Sequence, residues 1–364
     1  MDLPASPRLP RRSLLLAGLG SLAGAAGPAR ALPERTLAFP RDHGSHPDFR
    51  TEWWYVTGHA TAGGRSFGFQ VTFFRSRVAA TQGMQSGFAA RQLYFAHAAV
   101  TDVQGQVLLH DQRIARASGQ ATLDQASASS TDTAVVLRDW SLQRRANGRY
   151  HATVLAGDFA LDLDFSPTQP PLLQGKKGLS RKGPDVAQAS YYYSVPQLGT
   201  AGSITLRGER LAVTGTAWLD HEWSQELLHP QAVGWDWIGM NLFDGSALTA
   251  FRLRNAQGQP LWDGGSFRHP SAGLFIAAPG ETLFQPLKSW KSPLTQASYP
   301  VEWRVRTVAD FYTVRAVIAA QELDSRASTG AVYWEGLSDL FDSSNRHVGR
   351  GYLEMTGYAK PLQL

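Results

Sequence analysis

The sequence predicts an all-β protein built as two antiparallel β-barrels in tandem. Its 364 residues are too many for one small barrel and suit two. Short runs in which apolar and polar residues alternate dominate the chain, whereas helical periodicity is weak. In addition, one strand–turn–strand pattern occurs in each half of the sequence.

The clearest alternation in the first half lies at residues 66–74. Four apolar side chains share one face of this predicted strand, namely Phe67, Phe69, Val71 and Phe73. Residues 52–59 form the preceding strand and residues 62–65 the turn, so the pair predicts a hairpin. Further strands are predicted at residues 92–101, 134–144, 149–155, 159–165, 202–206 and 211–218.

The second half restarts with a comparable hairpin over residues 235–254. Both hairpins open on a strand with two Trp residues and return on a strand that contains Phe-Arg, which indicates a weak internal repeat. We therefore place the first barrel at residues 32–224 and the second at residues 225–364. Later predicted elements are strands at 301–308, 312–318, 331–336 and 351–358, and a short helix at 338–342.

Residues 166–189 interrupt the alternation. This segment contains four Pro, three Gly and four basic residues. A loop of this length in a compact domain is usually functional or mobile. The segment is therefore either a lid over a site or a solvated surface loop.

Residues 1–31 have the features of an export signal. Arg11 and Arg12 precede a short apolar run rich in Gly and Ala, and Ala29-Arg30-Ala31 offers small residues for cleavage. The Arg pair favours twin-arginine over general secretory export. We expect cleavage near Ala31 and a periplasmic or secreted mature protein. No later apolar run is long enough to predict a membrane span.

The charge balance argues against nucleic-acid binding. The formal net charge is +5, but residues 1–31 hold four Arg and one Asp, which leaves 31 basic and 29 acidic residues in the remainder. The chain contains no cysteine, so an oxidising compartment adds no disulfide. The fold must therefore be held by its core.

Residues 42–59 concentrate histidine, acidic and aromatic side chains. One interpretation is a metal site that uses His43, His46 and a carboxylate. The spacing matches no strong zinc pattern, so the favoured alternative has the aromatic run that begins at Trp53 closing a barrel end, with the histidines capping turns. No metal and no other cofactor is expected.

Residues 218–223 (WLDHEW) form the second polar cluster. On a strand, Asp220 and Glu222 share one face while His221 shares the other with Trp223. Acids beside Trp rings in an apolar cavity can have raised pKa values and donate protons. Alternatively, the two acids pair with arginine at a polar seam between the barrels. The candidate catalytic residues are Asp220, His221, Glu222 and Trp223.

Some predicted strands carry polar residues where apolar ones are expected. A lone histidine in this position, such as His97, is more often a hydrogen-bonded core residue than a catalyst. No serine-hydrolase elbow, P-loop or dinucleotide fingerprint occurs in the sequence. The candidate ligand-binding residues are Trp53, Trp54, His59, Gln70, Phe73, His97, Tyr192, Asp236 and Trp237.

Several sequence blocks resemble one family. The blocks are residues 39–46 (FPRDHGSH), 52–59 (EWWYVTGH), 68–75 (GFQVTFFR), 96–102 (AHAAVTD), 192–194 (YYS) and 218–223 (WLDHEW). In this order they resemble the lipocalin-like family of secreted "predicted hydrolases" and carotenoid 1,2-hydratases. Residues 235–358 resemble the second lipocalin-like domain of that family.

The resemblance implies two lipocalin-like barrels side by side. It also implies a cofactor-free reaction, because the best-understood branch of the family adds water to the terminal C=C bond of acyclic carotenoids. His221 and Trp223 match the His-x-Trp block of that branch. The branch has an acid on the following strand, whereas residues 247–252 contain none. Asp220, Glu222 or Asp236 would then have to supply the proton.

We therefore expect an exported protein that binds an apolar isoprenoid, polyene or lipid and acts on it as a hydratase or isomerase by acid catalysis. Two alternatives stay open: a non-enzymatic periplasmic carrier of a hydrophobic ligand, and a hydrolase of unknown substrate. The expected partners are a small hydrophobic molecule and the export machinery, with no nucleic acid and no integral membrane span. A cavity that touches Trp54, His97, His221 and Trp223 would favour a ligand site inside a barrel.

Overall fold

The structure is a computed structural model that describes residues 31–226 and 228–362. Within these ranges the chain forms two large antiparallel sheets and no α-helix, which confirms the all-β, two-barrel prediction. Helical geometry there is limited to two 3₁₀ turns, Arg41–His43 and Ala79–Thr81. None of the described helical segments has the length and apolar character needed to cross a membrane. The predicted export signal lies, apart from Ala31, outside the described residues.

The first sheet curls into a nearly closed barrel. Its strands follow the order β4-β3-β2-β1-β13-β12-β9-β8-β7-β6-β5, with β10 and β11 paired to β12, and the end strands β4 and β5 lie against each other. The strands are β1 (Thr51–Ala62), β2 (Arg65–Arg77), β3 (Gln92–Asp102), β4 (Val107–Ala117), β5 (Ala126–Ala128), β6 (Ala134–Leu137), β7 (Trp140–Arg144), β8 (Tyr150–Leu155), β9 (Phe159–Ser166), β10 (Leu172–Leu173), β11 (Leu179–Arg181), β12 (Ala189–Leu206) and β13 (Glu209–Glu226).

The second sheet forms a barrel with one open side. Its order is β17-β16-β15-β14-β23-β22-β20-β19-β18, with β21 paired to β22, and the described end strands β17 and β18 are not hydrogen-bonded to each other. The strands are β14 (Gly234–Leu242), β15 (Ala247–Arg254), β16 (Pro260–His269), β17 (Gly273–Ile276), β18 (Leu283–Lys291), β19 (Ser298–Arg306), β20 (Phe311–Ala316), β21 (Glu322–Ser325), β22 (Ala331–Phe341) and β23 (His347–Met355).

Alternation along β1 and β13 separates two buried environments. Trp54 and Leu219 point into the core of the first barrel. Their chain neighbours Tyr55 and Trp218 point outward, into an apolar cluster shared with the second barrel. Since successive side chains of a strand face opposite sides, the polar residues of these strands are divided in the same way.

The barrels pack face to face through their outward-pointing side chains. Trp237 and Leu337 of the second barrel join the shared apolar cluster. At Gly68, an added Cβ atom would stand 2.7 Å from the Tyr352 hydroxyl of the second barrel. A larger residue would therefore have to displace the Tyr352 side chain at this point.

The sequence repeat corresponds to a repeated buried ion pair. On β1 and β2, Glu52 is the cross-strand partner of Arg75, and the side chains meet at 2.9 Å. On β14 and β15, Asp236 is the cross-strand partner of Arg252, and the side chains meet at 2.7 Å. Each barrel thus carries an acid–arginine pair at the start of its first hairpin.

Several sequence-based boundaries were wrong. The predicted helix at 338–342 is the end of β22, since its residues alternate between buried and half-buried positions of a strand. The predicted strand at 134–144 is the hairpin β6–β7. The short predicted strands at 202–206 and 211–218 are parts of β12 and β13, which are 18 residues long each. Strands β4, β5, β10, β11, β16 to β18 and β21 were not predicted.

The segment at residues 166–189 runs between two strands of the first barrel and contacts both barrels. Its short strands β10 and β11 pair with β12. Gln174 donates a hydrogen bond to the Thr249 hydroxyl (3.2 Å) and accepts one from Ser266 (2.8 Å), both in the second barrel. The Trp262 indole N–H donates to the Arg181 carbonyl (3.0 Å). The segment is held by both barrels rather than lying free on the surface.

Candidate functional site

A cavity of about 300 Å³ lies between the two barrels. The outward faces of β1, β2 and β13 form one wall, and β14, β15, β22 and β23 form the other. Its aromatic lining consists of Trp53, Tyr55, Phe74, Phe95, Tyr192, Trp235, Trp237, Phe251 and Tyr333. Its polar lining includes Gln70, His97, Lys182, Asp220, Glu222, Glu335 and Glu354. A concave apolar space with a few converging polar groups is the usual form of a small-molecule site.

Asp220 is buried in the wall formed by the first barrel. Its carboxylate accepts hydrogen bonds from the Ser194 hydroxyl (2.5 Å), the Trp218 indole N–H (2.7 Å) and the Tyr192 hydroxyl (2.9 Å). Burial raises the pKa of Asp220 to about 7, although the three hydrogen bonds oppose the shift. Asp220 can therefore take up or release a proton near neutral pH.

Glu222 forms a buried ion pair with Lys182. The Lys182 Nζ lies 3.0 Å from Glu222 Oε1 and also faces the rings of Tyr192 and Phe251, at 4.7 and 4.4 Å from their centroids. The Ser190 hydroxyl donates a further hydrogen bond to Glu222. For residues 218–223 the sequence left two interpretations open, proton donation or pairing with arginine. Glu222 forms the ion pair, but its partner is a lysine rather than an arginine.

Two further carboxyls, Glu335 and Glu354, face the cavity from the second barrel. They are direct cross-strand partners on β22 and β23. Burial, together with the neighbouring Glu354 carboxyl, raises the pKa of Glu335 well above its usual range, and burial raises the pKa of Glu354 to about 7. Like charges directly opposite each other in a sheet repel, so the pair retains a proton at neutral pH.

Three buried polar atoms around this pair have no hydrogen-bond partner of ordinary geometry among the described residues. They are the Tyr55 hydroxyl, Gln70 Oε1 and Glu335 Oε1. The Tyr55 hydroxyl and the Glu335 carboxyl do interact with each other, so Gln70 Oε1 is the atom most clearly left without a partner. The orientation of Gln70 is fixed, because its amide N–H groups donate to Glu335 Oε2 (2.7 Å) and the Tyr333 hydroxyl (3.2 Å). Leaving such groups unpaired in a protein interior costs about 1–3 kcal/mol each, so their presence in a cavity points to a ligand that satisfies them.

His97 lines the cavity as a hydrogen-bonded neutral histidine. Its Nδ1 lies 2.9 Å from the Tyr333 hydroxyl, and its Nε2 lies 2.9 Å from the Ser328 hydroxyl. Burial lowers the pKa of His97 to about 3. His97 is therefore a weak base, and its clearest role is to orient Tyr333 beside Glu335.

A second polar cluster, built around Glu52, fills the interior of the first barrel. Glu52 accepts hydrogen bonds from His46 Nδ1 (2.8 Å), His221 Nε2 (3.0 Å), Arg75 Nε (2.9 Å) and the Ser45 hydroxyl (2.8 Å). Burial alone would raise the pKa of Glu52, but the hydrogen bonds from His221 and His46 and the Arg75 charge hold it well below its usual range.

The rings around Glu52 are closely stacked. The His46 ring lies 3.7 Å from the Trp223 ring, nearly parallel to it, and the His221 ring lies 4.8 Å from the Trp54 ring. This part of the barrel interior is occupied by side chains, so Trp54, His221 and Trp223 do not line the cavity. The site is formed on the outside of the barrel instead.

His46, Glu52 and His221 lie close enough together to be considered as metal ligands. Their donor atoms, however, are already engaged with one another, and the Arg75 guanidinium places a positive charge 2.9 Å from Glu52. His46 Nε2 also lies 3.0 Å from Asp42. This donor set suits a closed hydrogen-bond network rather than a divalent cation.

The predicted site residues lie in four different places. Those that line the cavity are Trp53, Gln70, His97, Tyr192, Asp220, Glu222 and Trp237. Trp54, Phe73, His221 and Trp223 lie inside the first barrel, because they occupy the opposite face of their strands. Asp236 lies inside the second barrel, paired with Arg252. His59 faces the second barrel away from the cavity, near Arg350 and Asp339.

Sequence reasoning missed many of the cavity residues, among them Tyr55, Lys182, Tyr333, Glu335 and Glu354. For Glu335 a signal was present, since it is an acidic residue within the predicted strand at 331–336. The same holds for Glu354 within the predicted strand at 351–358. Their cross-strand pairing could not be read from the sequence, because it depends on the register of β22 and β23.

The raised pKa of Asp220 predicts that stability falls as pH rises. Between about pH 4 and pH 7 the unfolded chain ionises Asp220 while the folded protein keeps the proton, so this group lowers the free energy of unfolding by about 1.4 kcal/mol per pH unit. Asp220→Asn should flatten the dependence in this interval, as measured by urea denaturation at several pH values. The exposed Asp158→Asn variant is the control. Equal pH dependence of the Asp220→Asn variant and the unmodified protein would contradict the prediction.

Together, the fold and the cavity define the class of the protein: a two-barrel lipocalin-like protein with a buried acidic site between its barrels. Residues 30–358 match the family described as AttH-like, and the chain belongs to that family. A solved structure described as an AttH from Nitrosomonas europaea is 46% identical in sequence and superposes with a TM-score of 0.84. The alignment covers 90% of this chain and 99% of the chain in that structure. No curated protein matches the sequence.

More distant structures share the fold. Kievitone hydratase from Nectria haematococca is 13% identical, with a TM-score of 0.69 over 90% of this chain and 94% of its own. CghA in complex with Sch210972 is also 13% identical, with a TM-score of 0.51 over 90% of this chain and 97% of its own. The lipocalin-like resemblance seen in the sequence is thus confirmed for the family and the fold.

Proposed function

We propose that the protein is a cofactor-free enzyme of the hydratase type, which adds water to a carbon–carbon double bond of an apolar molecule bound between the barrels. The observation that carries the proposal is the Glu335–Glu354 pair, which provides a protonated carboxyl with a free oxygen in an aromatic cavity. The fold shared with kievitone hydratase supports the same class of reaction.

In the proposed reaction, Glu335 transfers its proton to one alkene carbon, and the electron pair of the double bond forms the new C–H bond. The cation left on the other carbon faces aromatic rings such as Phe74 and Trp237, which stabilise positive charge. Water attacks this carbon and loses a proton to the Glu335–Glu354 pair, which regains its shared proton. Gln70 Oε1 and the Tyr55 hydroxyl are placed to hold that water.

Asp220, the acid favoured by the sequence, has a supporting role in this proposal. Its oxygens already accept three hydrogen bonds from the protein, so its proton is less available to a ligand than that of Glu335. When ionised, it adds a negative charge on the opposite wall, which favours a cationic transition state.

The substrate class follows from the cavity. Its walls are mainly aromatic, which suits an isoprenoid, a polyene or a related unsaturated lipid. The features of residues 1–31 support export, so we propose that the reaction takes place in the periplasm or outside the cell.

Binding without chemistry, as in a carrier, explains the aromatic walls but gives no use to the proton held by the buried Glu335–Glu354 pair. Burying such groups costs stability. Hydrolysis is a weaker third candidate. Although His97 contacts the Ser328 hydroxyl, its partner on the other side is Tyr333 rather than a carboxylate, and its lowered pKa makes it a poor base.

The proposal is tested by incubating the mature protein with a panel of isoprenoids and polyenes in ¹⁸O-labelled water. We expect one class to give a product that gains one labelled water, as seen by mass spectrometry, with no product from Glu335→Gln. Glu209→Gln, which alters an exposed carboxyl, is the matched control. A ligand that co-purifies and is released unchanged, without turnover of any compound, would support the carrier instead and contradict the proposal.

A further inference from the structure

The open side of the second barrel exposes an unusual number of large apolar side chains. Strands β17 and β18 form its two edges, and we define this surface, the open edge, by five residues that are 39–47% exposed: Leu274, Phe275, Ile276, Leu283 and Leu287. All four residues of β17 are exposed. The exposed apolar residues follow one another along each of the two edge strands. Larger exposed apolar patches usually mark interaction sites.

Strands β18 and β19 give the open edge a net positive charge, since they carry four basic residues and one acid, Glu302, which pairs with Arg315. Lys288 and Lys291 are exposed on β18, and Arg304 is exposed on the adjacent strand β19. None of these three forms an ion pair with another described residue. Arg306 lies beside Leu283 on the same outer face, and its guanidinium contacts only the carbonyl oxygens of Gly280 and Glu281.

The longer edge strand, β18, is a poor template for strand addition by a second copy. Pro286 removes one backbone donor from β18, and the pairing of β18 with β19 is irregular on both sides of Lys288. Proline, bulges and lysine are the features that protect sheet edges from pairing with other strands. The apolar surface therefore needs an occupant that does not depend on a hydrogen-bonded strand.

We propose that the open edge docks the protein on an anionic lipid bilayer. The Leu, Ile and Phe side chains would enter the boundary between headgroups and acyl chains, while Lys288, Lys291 and Arg304 face the lipid phosphates. Docking of this kind is peripheral and reversible. It rests on surface chemistry alone and is independent of the reaction proposed for the cavity.

The test is sedimentation of the mature protein with vesicles of phosphatidylcholine alone or with one quarter phosphatidylglycerol. We expect binding to the anionic vesicles at low salt and much weaker binding at high salt. Lys288→Glu/Lys291→Glu should weaken binding about 30-fold or more, and Ile276→Ser/Leu283→Ser should weaken it at least about 10-fold.

Two matched variants serve as controls. Lys176→Glu/Lys177→Glu changes the same charge, and Leu123→Ser/Leu155→Ser removes exposed leucines from the first barrel. Both should bind vesicles like the unmodified protein. Failure of the unmodified protein to bind anionic vesicles at low salt would overturn the proposal. So would a dimer in light scattering that Ile276→Ser/Leu283→Ser converts to a monomer, since the edge would then be covered by a second copy.

Discussion

Glu335→Gln is expected to lower the rate of water addition by a factor of about 10²–10⁴ while leaving ligand affinity within a few fold, as for the loss of a general acid. The substitution keeps the size and the hydrogen bond to Gln70 but removes the transferable proton. The rate is measured with the substrate found in the labelled-water screen, and the affinity by quenching of tryptophan fluorescence. A large loss of kcat with little change in Kd would assign the proton to Glu335.

The second carboxyl of the pair offers an internal comparison. Glu354→Gln should retain part of the activity and shift the pH profile, because Glu335 would lose the neighbour that raises its pKa. Neither variant should be less stable than the unmodified protein at neutral pH, since each removes a buried carboxyl. Full activity of Glu335→Gln, with Asp220→Asn inactive, would move the acid to the first barrel.

Arg75→Met is expected to destabilise the protein by about 3–5 kcal/mol, the usual cost of removing one partner of a buried ion pair. Arg75 is fully buried and donates hydrogen bonds to Glu52, Gln92 and the carbonyl oxygens of His46 and Phe49. Without Arg75, the buried Glu52 carboxylate loses the positive charge that compensates its own. Equilibrium denaturation in urea measures the change.

The control for this prediction is an exposed pair of the same type. Arg315 and Glu302 meet at 3.0 Å at the surface of the second barrel, so Arg315→Met should cost no more than about 1 kcal/mol. The double variant Glu52→Gln/Arg75→Met should recover part of the lost stability, because it no longer buries an unpaired charge. Equal losses for Arg75→Met and Arg315→Met would contradict the interpretation of the Glu52 cluster.

The fold could be predicted from the sequence because its main signals are local. Alternation in strands such as 66–74 indicates that one face is buried, and the repeated Trp and Phe-Arg pattern indicates that a hairpin occurs twice. In the structure, each of these hairpins contains one cross-strand ion pair, Glu52–Arg75 in the first barrel and Asp236–Arg252 in the second. The helix predicted at 338–342 failed because a strand held on both sides by β20 and β23 overrides weak local preference.

The site was predicted only in part because it depends on which face of a barrel meets the other barrel. The sequence shows that Asp220 and Glu222 lie on one side of β13 and His221 and Trp223 on the other. It does not show which side points into the barrel. The assumption of a site inside the barrel therefore placed Trp54 and Phe73 beside a ligand, whereas their neighbours Tyr55 and Phe74 line the cavity.

The second-barrel residues were missed for a related reason. Glu335 and Glu354 are separated from Tyr55 and Gln70 by more than 260 residues of chain, as the Gln70–Glu335 hydrogen bond illustrates with a separation of 265. Only the packing of the two barrels brings these groups together. No local pattern in one sequence specifies such a contact.

The proposed reaction requires that a carboxylic acid in the cavity stays protonated at neutral pH. Infrared spectroscopy tests this directly, because a protonated carboxyl and a carboxylate absorb at different frequencies. We expect a protonated-carboxyl band at neutral pH that loses intensity in Glu335→Gln and keeps it in the exposed-site control Glu209→Gln. The part of the band that belongs to Asp220 is identified separately with Asp220→Asn. Absence of the band from the unmodified protein, or its survival unchanged in Glu335→Gln, would contradict the account.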